Sequence, residues 1–170
     1  MTRPERGRPY QYAFDFGQKP LDPAGLVYEG GHRFVRTVHE HIVVRSPAEV
    51  AQHAMTHIFT PFAALEQEEL WTLLLNTKQR ITHEALIYRG TINMLSVRMA
   101  EVFRPAIRYN AAFLVLAHNH PSGDPTPSPE DIDMTKTTQV LAQTLGLDLL
   151  DHLVIGNNRW VSFKERGLGF

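Results

Sequence analysis

His118 and His120 stand two residues apart in "AHNHPSGDPTPSPED", and Asp131 lies eleven residues beyond His120. Imidazole and carboxylate are zinc-holding side chains, and two His plus one Asp leave a fourth tetrahedral position for a water. The metal lowers that water's pKa toward ~7 and makes it a nucleophile at neutral pH. Such chemistry needs a nearby carboxylate to carry the proton.

The elements around these residues favour convergence. "AAFLVLA" reads as a short buried strand that runs directly into His118. Alternate side chains on a strand share a face, so His118 and His120 project together and Asn119 points away. Pro121, Gly123, Pro125 and Pro127 stiffen and turn the following loop, which lets it return to the strand end at low entropy cost. Ser128 then opens a helix with Asp131 in its first turn. Ser128 and Asp131 also form an ordinary capping box, and the residues alone leave capping and ligation both open.

Other histidines fit a metal less well. His39 and His41 repeat the His-x-His spacing, but Glu49 and Gln52 occupy the positions eight and eleven residues beyond His41. His53 and His57 share a helix face at i, i+4, with Ala54 in place of the glutamate of His-Glu-x-x-His. His152 reads as a core or edge histidine of a buried strand. His83 adjoins Glu84 and points to the opposite face. The letters "HNH" do not make an HNH nuclease, whose three namesake residues are dispersed over a ββα element.

The chain has 170 residues, 43% hydrophobic and 21% charged, the composition of one globular domain with room for a core. A net charge of -1 gives no global field to attract nucleic acid or an anionic membrane. The absence of cysteine removes disulfides, thiol nucleophiles and the Cys-x-x-Cys zinc site of the deaminases. Any metal must therefore be held by His, Asp, Glu and water. The opening "MTRPERGRPY" carries no apolar core of a signal peptide, and the apolar run Ala111 to Ala117 is too short to span a bilayer. A cytoplasmic protein with no membrane partner is the expectation.

Residues 1 to 30 read as an irregular N-terminal extension, rich in Pro and Gly, with alternating Tyr10, Tyr12, Phe14 and Phe16. The domain proper is expected over 31–170. Arg33 to Val44 is β-branched and reads as a strand. Ser46, Pro47 and Glu49 give a capped helix start, with helix expected over 47–58. Residues 69–91 read as two strands around a turn at Asn76 to Gln79, Met99 to Tyr109 as a helix interrupted by Pro105, and Ser128 to Leu145 as a helix. "LDLLDHLVIG" and "RWVSF" are two closing strands. The order β-α-β-β-α-β-α-β-β predicts an α/β (α+β) sandwich around a mixed sheet.

His118-Asn119-His120, seven residues, then Ser128-Pro129-Glu130-Asp131 resembles the JAMM motif of the MPN-domain metalloproteases. "HNHPSGDPTPS" with "LGLDLLDHLVIG" behind it is similar to the RadC branch of that superfamily, over about 46–163. The first 45 residues do not resemble the helix-hairpin-helix region many RadC proteins carry, and "LSVRMAEVF" lacks a His-Pro pair common in that branch. The resemblance implies an MPN/JAB1 (cytidine deaminase-like) fold, a mixed curved sheet flanked by helices. It implies one Zn2+ per chain on His118, His120 and Asp131, with a water as fourth ligand and Ser128 hydrogen-bonding the oxyanion or that water. It also implies an upstream glutamate as general acid/base. Glu84 takes that role, as the only carboxylate from Arg80 to Tyr88, with Glu101 as its rival.

The activity so implied is zinc-dependent hydrolysis of a peptide or isopeptide bond, with a peptide or protein substrate that includes ubiquitin-like conjugates. The alternatives are a RadC-like DNA-repair accessory, which the charge does not support, and a non-catalytic MPN partner-binding module. Homo-oligomerisation is left open.

Overall fold

The computed structural model describes residues 27–29, 33–39, 42–90 and 97–170. The alternating aromatics Tyr10 to Phe16, His41 and the stretch 91–96 lie outside the described residues.

Among the described residues, seven strands form one sheet in the order β1-β2-β4-β3-β5-β6-β7. They are β1 (Val27–Glu29), β2 (Arg33–Thr37), β3 (Glu68–Leu75), β4 (Ile81–Gly90), β5 (Phe113–Asn119), β6 (Asp148–Ile155) and β7 (Trp160–Ser162). Helices α1 (Pro47–His53), α2 (Met99–Arg108), α3 (Pro129–Thr144) and α4 (Phe163–Arg166) cover its faces. All described pairings are antiparallel except β5 with β6. A parallel pair needs a long crossover, and α3 supplies it. The result is a mixed α/β sheet flanked by helices, the MPN/JAB-type architecture. No described helix is long and apolar enough to cross a membrane.

The sheet is buried on both faces, which explains why β3 and β5 are apolar nearly throughout. On one face Leu70, Leu74, Leu114 and Leu116 pack with Val102 and Phe103 of α2 and Met134 of α3. On the other, Leu73, Leu75, Val115 and Leu153 pack with Val50 and Ala51 of α1. Between the register shifts of the β3–β4 and β5–β6 pairings, parity along a strand assigns side chains to the α2/α3 face or the α1 face.

Several expected elements differ in extent. β1 lies inside the stretch expected to be irregular. The strand expected over 33–44 stops at Thr37, and Val43 makes only an isolated bridge to Arg80. α1 is capped by Ser46, whose Oγ accepts from Glu49 N at 3.3 Å. Its last turn widens over Ala54–Ile58 into a π-helical turn closed by Phe59 N donating to Ala54 O at 2.8 Å. α2 runs through Pro105, giving up only the bond that proline cannot donate. The four-residue α4 was not foreseen, being shorter than any periodic signal.

Candidate metal centre

His118 and Asn119 end β5, and His120 follows at once, held in line by His120 N donating to Ile155 O at 2.9 Å. His118 shares the α2/α3 face with Leu114 and Leu116. It is wholly buried, and Asp131 is 4% exposed. His118, His120 and Asp131 come together as one potential metal-holding group among the described residues.

Their donor atoms are closely spaced. His118 Nε2 lies 3.1 Å from His120 Nε2 and 3.4 Å from Asp131 Oδ1, while His120 Nε2 lies 3.6 Å from Asp131 Oδ2. Ligands about 2.0–2.1 Å from a tetrahedral zinc are separated from one another by roughly 3.3–3.4 Å. The three residues therefore fit zinc in donor type, number and spacing.

Capping and convergence use different parts of Asp131. Oδ2 accepts from Ser128 N at 2.8 Å and from Ser128 Oγ at 2.7 Å. Asp131 N donates back to Ser128 Oγ at 3.1 Å, completing the capping box of α3, while Oδ1 faces His118. The two readings of this pair left open above are thus compatible. The single hydroxyl hydrogen of Ser128 is directed at Asp131, so here Ser128 orients a carboxylate. A donor role toward an oxyanion would require it to leave that bond.

The loop sets the far side of the site. His120 Nδ1 donates to Asp124 O at 2.9 Å, which leaves the Nε2 lone pair for a metal. Gly123 O accepts from Asn157 N and from the Arg159 guanidinium, each at 3.1 Å. A Cβ on Gly156 would stand 2.4 Å from that same oxygen, so the loop needs glycine there for close approach.

The charges agree with this geometry. Burial alone would raise the Asp131 carboxyl, but the His118 and His120 rings beside it and the hydrogen bonds from Ser128 outweigh it and hold it far below the carboxylate range. Burial pulls His120 down, yet Asp131, the Asp124 carbonyl and the charge of Glu68 outweigh it and leave His120 raised. Burial drives His152 well below its ordinary value, with His118 adding to the effect.

Glu84 is not brought to this site. It pairs with Leu73, whose other neighbour is Val115, so it stands two strands over and three residues short of His118. That separation is on the order of 14 Å along the sheet. Glu84 also shares the α1 face with Leu73 and Leu86, opposite His118. There it is wholly buried, accepting from Arg36 of β2 and from His53 of α1. Arg36 in turn donates to His57 O at 2.9 Å. The assignment of Glu84 as general acid/base is therefore corrected: it is the hub of a buried ion network that ties β2 and α1 to the sheet. Its rival Glu101 opens α2, 3.9 Å from Arg98.

The carboxylate on the site face is Glu68, the first residue of β3. Leu70 pairs with His118, and antiparallel continuation sets Glu68 across from His120 on the same face. Glu68 is half-buried. The adjacent Glu69 faces the other way and is engaged by Arg89 Nε at 2.8 Å and Trp71 Nε1 at 2.9 Å. Asn119 brackets Glu68: its Oδ1 accepts from Glu69 N at 2.7 Å and its Nδ2 donates to Gln67 O at 3.2 Å. Glu68 went unrecognised from sequence because nothing local shows that β3 starts where β5 ends. The available signal was its parity with the apolar Leu70 and Leu74.

Among the described residues, His39, His53, His57 and His83 stay apart from this centre. His39 is exposed, and His53 and His57 stack on each other 4.7 Å apart beside Glu84. His83 stacks on Tyr109 at 4.0 Å. His152 is in contact with the site through His118, 2.8 Å away.

A profile of the RadC-like JAB domain matches residues 38–168. A UPF0758 protein of Chloroflexus aurantiacus (strain ATCC 29366 / DSM 635 / J-10-fl) is 45% identical over 143 residues, 84% of this chain and 61% of that protein. One from Roseiflexus castenholzii (strain DSM 13941 / HLO8) is 47% identical over 131 residues, 77% of this chain and 54% of that protein. One from Bacillus cereus (strain G9842) is 41% identical over 141 residues, 82% of this chain and 61% of that protein. The chain thus spans 54% to 61% of the length of these relatives. With the domain profile covering most of its length and relatives of this similarity, the chain belongs to the RadC-like JAB domain family.

Proposed function

We propose that the chain is a zinc-dependent hydrolase of JAMM type that cleaves a peptide or isopeptide bond in a peptide or protein substrate. The observation that carries this reading is the spacing of His118 Nε2, His120 Nε2 and the Asp131 carboxylate, 3.1 to 3.6 Å apart, with Glu68 on the same face.

His118, His120 and Asp131 hold the metal. When bound, zinc would supply Lewis acidity toward the scissile carbonyl and would lower the pKa of a water toward ~7. Glu68 accepts the proton of the attacking water as its oxygen bonds to the carbonyl carbon. The C–N bond then breaks, and Glu68 returns the proton to the departing amine. Asn119 holds Glu68 through the backbone on either side of it, and Ser128 fixes the Asp131 carboxylate. Buried walls exclude water behind His118, which strengthens the electrostatics of the site.

The test is turnover by the purified zinc-loaded chain on short peptides and on isopeptide-linked ubiquitin-like fusions. Glu68→Gln is expected to keep zinc and lose turnover, and His120→Ala to lose both. Full activity in Glu68→Gln overturns the assignment of Glu68. Zinc retention unchanged in His120→Ala overturns the metal centre.

A further inference from the structure

The proposed mechanism makes no use of His152, which is wholly buried beside His118 and 0% exposed, as is Thr135. His152 Nε2 lies 2.8 Å from His118 Nδ1. His152 Nδ1 lies 2.7 Å from Thr135 Oγ1, and Thr135 Oγ1 donates to Asp131 O at 2.7 Å. The ring of His152 is clamped by Phe163, stacked at a centroid distance of 4.5 Å.

The direction of this chain follows from its far end. A backbone carbonyl can only accept, so the single hydrogen of Thr135 goes to Asp131 O. Toward His152, Thr135 must then accept, and His152 Nδ1 carries the hydrogen. An imidazole with one ring hydrogen that is placed on Nδ1 offers a bare lone pair at Nε2, which is the atom that His152 turns to His118. His118 Nδ1 must donate to it. The remaining nitrogen of His118, Nε2, is thereby left as the lone pair, and it is the atom beside His120 and Asp131.

We infer that Thr135 and His152 are positioning residues that lock His118 in the Nδ1–H tautomer, so that its Nε2 is ready to bind metal before any metal arrives. This rests on the metal-centre reading above and extends it to two residues on other elements. The relay also ties β5, which carries His118, to the backbone of Asp131 in α3. The three ligands are therefore fixed by one Asp124 carbonyl on His120, one capping box on Asp131, and one three-residue chain on His118. Hydrogen bonds to the far nitrogen of a metal-ligating histidine are worth about 10–100-fold in metal affinity.

Two measurements test the inference. In the metal-free wild-type chain, a long-range 1H–15N spectrum, with the His118 signals identified by their loss in His118→Ala, is expected to show His118 protonated at Nδ1. Zinc dissociation constants from chelator competition are expected to weaken about 10–100-fold in Thr135→Val, which keeps the shape and removes the hydroxyl. Thr135→Ser, which restores the hydroxyl, is expected to recover wild-type affinity. A purely structural role for Thr135 would not move the His118 tautomer and would not be rescued selectively by serine. An Nε2–H tautomer in the wild type overturns the inference, as does wild-type zinc affinity in a folded Thr135→Val. A wild-type chain that binds no zinc sinks the metal centre instead, and the spectrum still decides the tautomer. If Thr135→Val does not fold, the wild-type spectrum alone settles the matter.

Discussion

Ser128 Oγ donates to Asp131 Oδ2 at 2.7 Å and accepts from Asp131 N at 3.1 Å, so the residue that starts α3 also aims the carboxylate of the candidate metal centre. Helix capping and carboxylate orientation are one arrangement. Ser128→Ala is expected to lose about 1 kcal/mol of stability from the cap. It is also expected to weaken zinc binding about tenfold through the freed carboxylate. Thermal melting and chelator competition on one preparation separate the two effects. A variant with the stability loss and unchanged zinc affinity would reduce Ser128 to a cap.

Glu84 and Glu68 make opposite predictions. Glu84→Gln removes a fully buried carboxylate from between Arg36 and His53, and breaking a buried pair in this way costs about 3–5 kcal/mol. Its zinc content is expected to be unchanged at a temperature where it is folded. Glu68→Gln is expected to unfold within about 0.5 kcal/mol of the wild type, as a half-buried surface change does, and to lose turnover. Urea titrations beside turnover assays check both.

The Glu84 network also imposes a pH dependence. Burial alone would raise the Glu84 carboxyl, but the His53 hydrogen bond and the Arg36 and His53 charges outweigh it and hold it below its ordinary value of 4.5. A depressed folded pKa means the unfolded state binds more protons. The contribution is fully present above the ordinary value and disappears as pH falls through the folded one. The stability difference between wild type and Glu84→Gln is therefore expected to be largest at neutral pH and to shrink under acid. Urea midpoints measured from pH 7 down to the acid limit give the answer, and a difference constant with pH would contradict it.

Gly156→Ala would bring a Cβ to within 2.4 Å of Gly123 O and 2.9 Å of Pro125 Cδ. The loop must shift, at about 1–3 kcal/mol for overpacking, and Asp124 O moves off His120 Nδ1 with it. Weaker zinc binding together with a lower melting temperature is the expected result. A lower melting temperature alone would show that the loop yields without disturbing His120.

Much of this protein is determined by the sequence itself. Alternation along β5 sends His118 and His120 to one face and Asn119 to the other. Ser46 and Ser128 mark the helix starts, and the interval from His120 to Asp131 identifies the third ligand candidate. These are local properties, since strand parity, capping and loop length depend only on neighbouring residues. Strand pairing is not local. Whether Glu68 or Glu84 faces His118 depends on β3 lying between β4 and β5, on the register that sets Leu70 against His118, and on which face α1 covers. The same holds for His152, which reads as an ordinary core residue until the parallel pairing of β6 with β5 brings it against His118 Nδ1. Residues far apart in sequence meet only through the hydrogen-bond ladders of the sheet, so the ligands were legible along the chain while their supporting groups were decided by the tertiary structure.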